Sequence, residues 1–199
     1  MARMKMFSKL FTTAIPLLIL AAALPLSAED PLLAGTDRGL YRIADNRQAV
    51  TPLWERAGVR KIIRTADRWY FLTGAGVITS ADLVSFEERN AGLPVKVVKE
   101  YADGKKSFVR EVQELKDLEI HPSNPLVLVT ATKDAVYLTR DGGASWTSLG
   151  LSAATAGVKA VSVLDLPDSA GVPRLTVFMS HPIYGISWRQ IDVKSSVWV

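Results

Sequence analysis

The stretch Thr139-Arg140-Asp141-Gly142-Gly143-Ala144-Ser145-Trp146 decides the fold class, because it is a dense turn sequence between two strand-like runs. The carboxylate of Asp141 can accept hydrogen bonds from turn amides, and Gly142 and Gly143 can adopt positive φ angles. Ser145 offers a further polar contact, and the ring of Trp146 can be buried under a hairpin. The stretch therefore predicts a tight connection between antiparallel strands.

The run before this turn belongs to a strand–turn–strand pattern that occurs four times. Its turns lie at residues 37–38, 74–75, 133–134 and around 181–182. When Leu40, Ile78, Tyr137 and Ile186 are matched, the steps are 38, 59 and 49 residues. These steps approach the blade period of about 40–50 residues found in propellers once insertions are allowed. Further strands are expected at three positions, residues 61–63, 118–120 and 160–163. The unit then has four strands, as in a propeller blade.

The longest step contains an inserted charged hairpin, which we place at about residues 95–117. Its turn is expected at Asp103-Gly104, between the apolar runs 95–98 and 108–109. The stretch from Val95 to Ile120 carries six basic and six acidic residues, a balance typical of a solvated face. Because insertions between repeated units often carry function, it is also the candidate partner-binding loop. The residues assigned to that loop are Lys99, Asp103, Lys105 and Lys106.

Residues 1–28 have the layout of a secretory signal peptide. Three basic residues lie in the first nine positions, an apolar run extends from Leu10 to Leu24, and Leu26-Ser27-Ala28 suits cleavage before Glu29. The apolar run is short for a membrane span. The sequence therefore predicts export to the periplasm or the extracellular space, a domain at residues 29–199, and no stable membrane span after cleavage.

Composition excludes several classes of site. The chain has 24 basic and 20 acidic residues, but without the leader the net charge falls to about +1, so no nucleic-acid partner is expected. It contains no cysteine, which removes disulfides and thiolate chemistry. The two histidines, His121 and His181, are isolated, and each precedes a proline. Neither a metal site nor a cofactor is predicted.

Thr139–Trp146 resembles the Asp-box of the BNR-repeat β-propellers, whose motif is Ser/Thr-x-Asp-x-Gly-x-Ser/Thr-Trp. The stretch matches every defined position, through Thr139, Asp141, Gly143, Ser145 and Trp146. In character the chain is similar to the sortilin-type and photosystem II stability factor-like members. The resemblance implies that the box joins the third and fourth strands of a blade, that its aspartate holds the turn, and that its tryptophan packs into the blade.

The other boxes are incomplete. Ser80-Ala81-Asp82, followed by Ser85-Phe86, resembles a shortened box, so Asp82 is given the same structural role as Asp141. The resemblance covers most of the chain through its repeats, but the specific motif covers eight residues. Fewer than four full blades are expected in this all-β chain, whereas propellers have about four to eight. We therefore expect part of a larger ring, with ring completion by a second chain or tight closure of four units as alternatives.

The enzyme alternative comes from the sialidases of the same family, which clamp a substrate carboxylate with three arginines. Arg60, Arg64 and Arg68 could supply guanidinium groups, and Arg60 and Arg64 would share one face of a regular strand. The sialidase Arg-Ile-Pro signature is replaced here by Arg42-Ile43-Ala44. The interpretation that the sequence favours is an exported, non-catalytic scaffold that binds a protein or glycan partner. A sialidase-like glycoside hydrolase, or the propeller part of a larger envelope enzyme, is the alternative.

Overall fold

The computed structural model describes residues 31–102, 105–150 and 157–191. The predicted leader and the predicted turn at Asp103-Gly104, which includes Asp103 of the partner-binding loop, lie outside these ranges. The described residues form β-strands, turns and loops and include no helix. The expectation of an all-β chain built from antiparallel sheets is confirmed.

Within the described residues, sixteen strands form four larger sheets and one separate pair. Sheet 1 contains β1 (Leu32–Gly35), β2 (Leu40–Ile43) and β3 (Val50–Trp54). Sheet 2 contains β4 (Val59–Arg64), β5 (Trp69–Thr73), β6 (Gly76–Ser80) and β7 (Glu87–Glu88). The separate pair is β8 (Val95–Ala102) and β9 (Lys105–Val112). Sheet 3 contains β10 (Asp117–His121), β11 (Asn124–Ala131), β12 (Val136–Thr139) and β13 (Thr147–Gly150). Sheet 4 contains β14 (Ala160–Pro167), β15 (Pro173–His181) and β16 (Gly185–Gln190).

One turn design closes the repeated hairpin in three of the sheets. The hydroxyls of Thr36, Thr73 and Thr132 accept hydrogen bonds from the amide two residues further on, at 3.1, 3.0 and 3.2 Å. Sheet 4 uses the Nδ1 of His181, which accepts from the amide of Ile183 at 3.0 Å. A short polar side chain that satisfies turn amides favours a tight reversal over a longer loop. The repeat seen in the sequence is therefore a repeat of turn chemistry.

In the part of the chain that the structure describes, the core consists of three apolar clusters, each shared by two consecutive sheets. Successive side chains of a strand point to opposite faces, and β5 uses both faces in this way. Trp69 and Phe71 enter the cluster shared with sheet 1, whereas Tyr70 and Leu72 enter the cluster shared with sheet 3. All five residues of β5 are consequently buried. Sheet-on-sheet burial of this kind is the main apolar contribution to stability.

The pair β8–β9, called the hairpin below, is closed at its base and ends before the position expected from sequence. The amide of Gln113 donates to the carbonyl of Pro94 at 2.8 Å, and β9 ends at Val112. Leu115 beyond it is 1% exposed and belongs to the core cluster between sheets 2 and 3. The predicted insertion at 95–117 therefore has two parts, an exposed two-stranded ribbon and a short buried segment that leads into β10.

The tryptophans in the described ranges do not all pack in the core. Trp69 and Trp146 are buried, but Trp188 on β16 is 54% exposed. Trp188 pairs with Phe178 on the face of sheet 4 opposite Val177 and Met179, which enter a core cluster. Trp188 occupies a strand position as Trp69 does, but strand patterning alone does not say whether another sheet covers that face.

Candidate functional site

The turn at 139–146 is organised by the carboxylate of Asp141. It joins β12 to β13, the third and fourth strands of sheet 3. One carboxylate oxygen accepts the hydroxyl of Thr139 at 2.6 Å and the amide of Ser145 at 2.9 Å. The other accepts the hydroxyl of Ser145, and the amide of Gly143 donates to the Thr139 hydroxyl at 3.0 Å. Both oxygens of Asp141 are therefore engaged inside the turn.

These hydrogen bonds also set the charge state of Asp141. Desolvation alone would raise the pKa of the carboxyl group, but the donors on Ser145 and Thr139 outweigh it and hold the pKa below its usual value. The group is consequently an anion at neutral pH. Such a carboxylate can hold a turn, whereas a general acid at neutral pH requires a raised pKa.

Trp146 connects this turn to the segment that follows sheet 2. Its indole Nε1 donates to the carbonyl of Arg89 at 2.7 Å, and its amide donates to the carbonyl of Ala91 at 2.8 Å. Gly92 lies so close that a Cβ there would be 2.1 Å from the Trp146 carbonyl oxygen. The ring is 5% exposed and belongs to the cluster between sheets 2 and 3. The turn therefore links two neighbouring sheets.

Asp82 lies in a shorter version of the same network. Its Oδ1 accepts the Ser80 hydroxyl at 3.2 Å and the amides of Val84 and Ser85 at 2.8 Å each. The backbone donors of Ser85 and Val84 hold the pKa of Asp82 below its usual value. Leu83 adopts a φ angle of +60°. At the corresponding place the 139–146 turn has two glycines with positive φ, Gly142 and Gly143. Leu83 is 5% exposed in the cluster between sheets 1 and 2, so burial of its side chain offsets the cost of that conformation.

The three arginines considered for a substrate clamp have separate protein partners. Arg60 lies where the register of β4 shifts between Val59 and Lys61, which interrupts the regular alternation expected from sequence. It donates to Glu114 at 3.2 Å and to the carbonyl of Leu115 at 2.6 Å. The guanidinium of Arg64 lies 4.8 Å from the ring centroid of Trp69. The Nε of Arg68 lies 3.8 Å from the carboxylate of Asp67, and Arg68 also lines a small cleft beside the 139–146 turn.

That cleft has a volume of about 190 Å³ and lies between sheets 2 and 3. Arg68, Arg89, Tyr70 and Asp141 are among its lining residues. The Tyr70 hydroxyl donates to the carbonyl of Gly142 at 3.3 Å, and desolvation raises the pKa of the phenol. Tyr70 is therefore a protonated hydrogen-bond donor at neutral pH rather than an activated nucleophile.

A charged cluster between sheets 2 and 3 escaped the sequence analysis. Lys61 on β4 donates to Asp117 at 2.9 Å and to Glu119 at 2.5 Å, both on β10. The second oxygen of Asp117 accepts the amide of Val161 on β14 at 3.0 Å. The first strands of three consecutive sheets are thereby connected. The sequence offered no signal for this cluster, because its members are 56 and 58 residues from Lys61.

The charge state of Lys61 follows from these contacts. Partial burial alone would lower the pKa of the ammonium group, but the hydrogen bonds to Glu119 and Asp117 raise it above the usual value. Lys61 is therefore a cation at neutral pH, and it compensates two partly buried carboxylates. The arrangement is suited to holding strands together.

The candidate partner-binding residues lie on the exposed hairpin. Lys99, Lys105 and Lys106 are all exposed, whereas Asp103 is outside the described residues. Tyr101 between them is 74% exposed, and Phe108 on the paired strand is 61% exposed. Large apolar side chains at such exposure are typical of interaction surfaces when they occur together.

The described ranges show neither a cluster of metal-ligating side chains nor a membrane-spanning helix. They contain no group of three or more His, Asp or Glu side chains that could hold a metal ion. The Nδ1 atom of each histidine accepts a turn amide, His121 from Ser123 at 3.2 Å and His181 from Ile183. No helix within these ranges is long and apolar enough to cross a membrane.

The similarity of this chain to known proteins is weak and concerns the fold alone. No protein-family model and no curated protein matches the sequence. Among solved structures, the GH74 xyloglucanase from Xanthomonas campestris matches with a TM-score of 0.49 and 19% identity. The extracellular domain of a one-component system from B. thetaiotaomicron matches with a TM-score of 0.37 and 16% identity. The matches cover 84% and 83% of this chain but only 29% and 26% of those chains. Similarity at this level does not extend to function.

Proposed function

We propose that the chain is an exported, non-catalytic β-propeller scaffold that binds a protein or polymer partner through the hairpin. The signal-peptide layout of residues 1–28 supports export. The assignment to the Asp-box type draws support from the related hydrogen-bond networks at Asp141 and Asp82. Consecutive sheets that share apolar clusters support a propeller-like arrangement of blades.

The exposure of the hairpin is the observation that carries the binding proposal. The hairpin leaves Val97, Tyr101 and Phe108 63%, 74% and 61% exposed, and all three lie outside the core clusters. These two aromatic rings and the branched side chain are already exposed on the ribbon, so a partner can contact them without any rearrangement of the core. Binding residues are often placed on such connections, which a rigid scaffold holds in position.

In this proposal the turn at 139–146 has a structural role. Asp141, Thr139 and Ser145 close the turn, and Trp146 fastens it to the neighbouring segment. A glycoside hydrolase would instead need a positioned acid and base in a shared pocket. In the arginine-lined cleft, the carboxylate of Asp141 is already engaged by turn donors and Tyr70 remains protonated.

Site-specific photocrosslinking tests the binding proposal. A photoreactive amino acid is placed at Tyr101 on the hairpin and, as a matched control, at Tyr184, which is 65% exposed on a turn of sheet 4. Both variants are expressed in the organism that produces the chain, and crosslinked products are identified by mass spectrometry. One defined partner should crosslink at position 101 and not at 184. Equal products at both positions, or none at 101, would refute a hairpin site.

A further inference from the structure

The register of the hairpin sorts its side chains onto two faces of different charge. Residues directly opposite each other in an antiparallel pair point to the same face. Val95 pairs with Val112, Val97 with Arg110, Lys99 with Phe108 and Tyr101 with Lys106. We call these eight residues the cationic face. The opposite face carries Lys96, Val98, Glu100, Lys105, Ser107, Val109 and Glu111.

The cationic face contains three basic residues and no acidic residue: Lys99, Lys106 and Arg110. On the opposite face, Glu111 forms an ion pair with Lys96 at 3.3 Å, and Glu100 adds a second carboxylate. The balanced charge of the linear sequence is therefore separated in space. Lys105 lies away from Lys99 and Lys106, although the sequence grouped all three.

Aromatic and basic side chains alternate on the cationic face. Lys99 is opposite Phe108 and Tyr101 is opposite Lys106, so each ring has a cation as its cross-strand neighbour. The ammonium of Lys106 lies 5.2 Å from the centroid of the Phe108 ring. On the opposite face the cross-strand pair Val98 and Val109 is half-buried, whereas on the cationic face only Val112, at the base of the hairpin, is half-buried. The cationic face is thus the more accessible of the two.

The composition of this face favours a protein as the partner. Tyr, Phe and Arg are enriched at protein interfaces, and exposed valines extend the apolar surface. Val95 is 50% exposed and Val97 is 63% exposed. Within the described residues β8 and β9 pair only with each other, so each has an outer edge that can accept an extended segment. Alternate side chains along such a segment repeat at about 6.8 Å, the same spacing as Lys99 and Tyr101 along β8.

Building on the proposed function, we propose that the cationic face binds an extended, acidic segment of a protein partner. Carboxylates of the segment pair with Lys99, Lys106 and Arg110. Its apolar side chains lie on Tyr101 and Phe108. Charge complementarity fixes the class of partner and speeds the encounter, and the aromatic contacts provide the buried centre of the interface.

The test uses the purified chain without its leader and a random glutamate–tyrosine copolymer as probe, titrated at about 0.1 M salt, where the Debye length is about 10 Å. Lys106→Glu reverses one charge on the cationic face. Lys96→Glu makes the same charge change on the opposite face and is the matched control. Both positions are on the exposed hairpin, and thermal unfolding verifies that both variants remain folded.

The proposal predicts that Lys106→Glu weakens copolymer binding at least tenfold, while Lys96→Glu changes it less than twofold. The copolymer should also bind more tightly than polyglutamate, polygalacturonate or single-stranded oligothymidylate. Equal losses in both variants, tighter binding of the uronate polymer or the oligonucleotide, or no binding of the copolymer would overturn it. If position 101 still crosslinks one partner in that case, only the partner class is wrong. If that crosslink is also lost, the proposed function is wrong.

Discussion

At the scale of single residues, the side chains of the 139–146 turn have separable tasks. Asp141 satisfies donors within the turn, while Trp146 contacts the segment that follows sheet 2. The first task depends on charge and the second on shape and burial. Substitution of the two residues should therefore give different pH dependence.

Asp141→Ala should lower the free energy of unfolding by about 1 kcal/mol at pH 7, the usual loss when a side chain that accepts hydrogen bonds from backbone amides is removed. The loss stays this small because the carboxylate is exposed. The folded-state pKa of Asp141 is below the unfolded value of about 3.9. Its contribution is therefore complete above about pH 5 and disappears as pH falls through the folded-state pKa. Urea unfolding from pH 3 to pH 7 measures the difference from wild type. Asp45→Ala, at an exposed turn of sheet 1, is the control. A difference that persists unchanged at pH 3 would argue against the ionic role.

Trp146→Ala should lower the free energy of unfolding by about 3–5 kcal/mol, because it removes a buried ring between two sheets. Trp146→Phe retains most of the ring but loses the indole donor to Arg89, and should cost less than half as much. Denaturant unfolding of both variants at pH 7 measures these values. Unchanged stability of Trp146→Ala would be incompatible with its place in the core.

At the scale of elements, turn chemistry was the feature that the sequence predicted best. Aspartate, glycine and threonine satisfy or relax the backbone locally, so their effect needs no knowledge of distant contacts. The strand β3 was missed, since it contains Pro52, which fits only an edge strand such as this one. The register shift between Val59 and Lys61 was likewise invisible, and it altered the placement of Arg60.

Lys61 connects β4 of sheet 2 to β10 of sheet 3, and its removal should weaken that connection. Lys61→Met keeps the aliphatic stem but leaves Asp117 and Glu119 without their cation, so the free energy of unfolding should fall by about 1–2 kcal/mol at pH 7. The raised pKa of Lys61 means that its contribution is complete below the unfolded value of about 10.4 and is lost as pH rises through the folded-state pKa. Urea unfolding at pH 7 and pH 11 tests this.

Lys96→Met is the matched control for Lys61, because the pair of Lys96 and Glu111 is exposed. We expect that variant to lie within about 0.5 kcal/mol of wild type. The account of the cluster would be contradicted if Lys61→Met and Lys96→Met were equally stable at pH 7.

At the scale of the whole molecule, the sequence indicated sheets in series but not which faces they cover. Trp69 and Trp188 occur in similar strand-like runs, yet only the first is buried between sheets. The two faces of the hairpin likewise depend on strand pairing. The sequence alone shows balanced charge, and the charges separate onto two faces only when the register places Lys99 opposite Phe108. Burial and binding surfaces depend on register and neighbours, and these are properties of the assembled chain.

The central claim is that the hairpin binds the partner, and that the four sheets are the scaffold that holds the hairpin in position. Residues 97–110 are replaced by a short glycine-containing turn, which leaves the closure between Pro94 and Gln113 and the buried Leu115 in place. The variant should unfold within a few degrees of wild type, because the removed residues lie outside the three core clusters.

The decisive measurement is the affinity of this variant for the partner identified by crosslinking at position 101, compared with that of the wild-type chain by calorimetric titration. We predict that a folded variant loses at least 100-fold in affinity, about 2.7 kcal/mol. A folded variant that binds the partner as tightly as wild type would contradict the central claim.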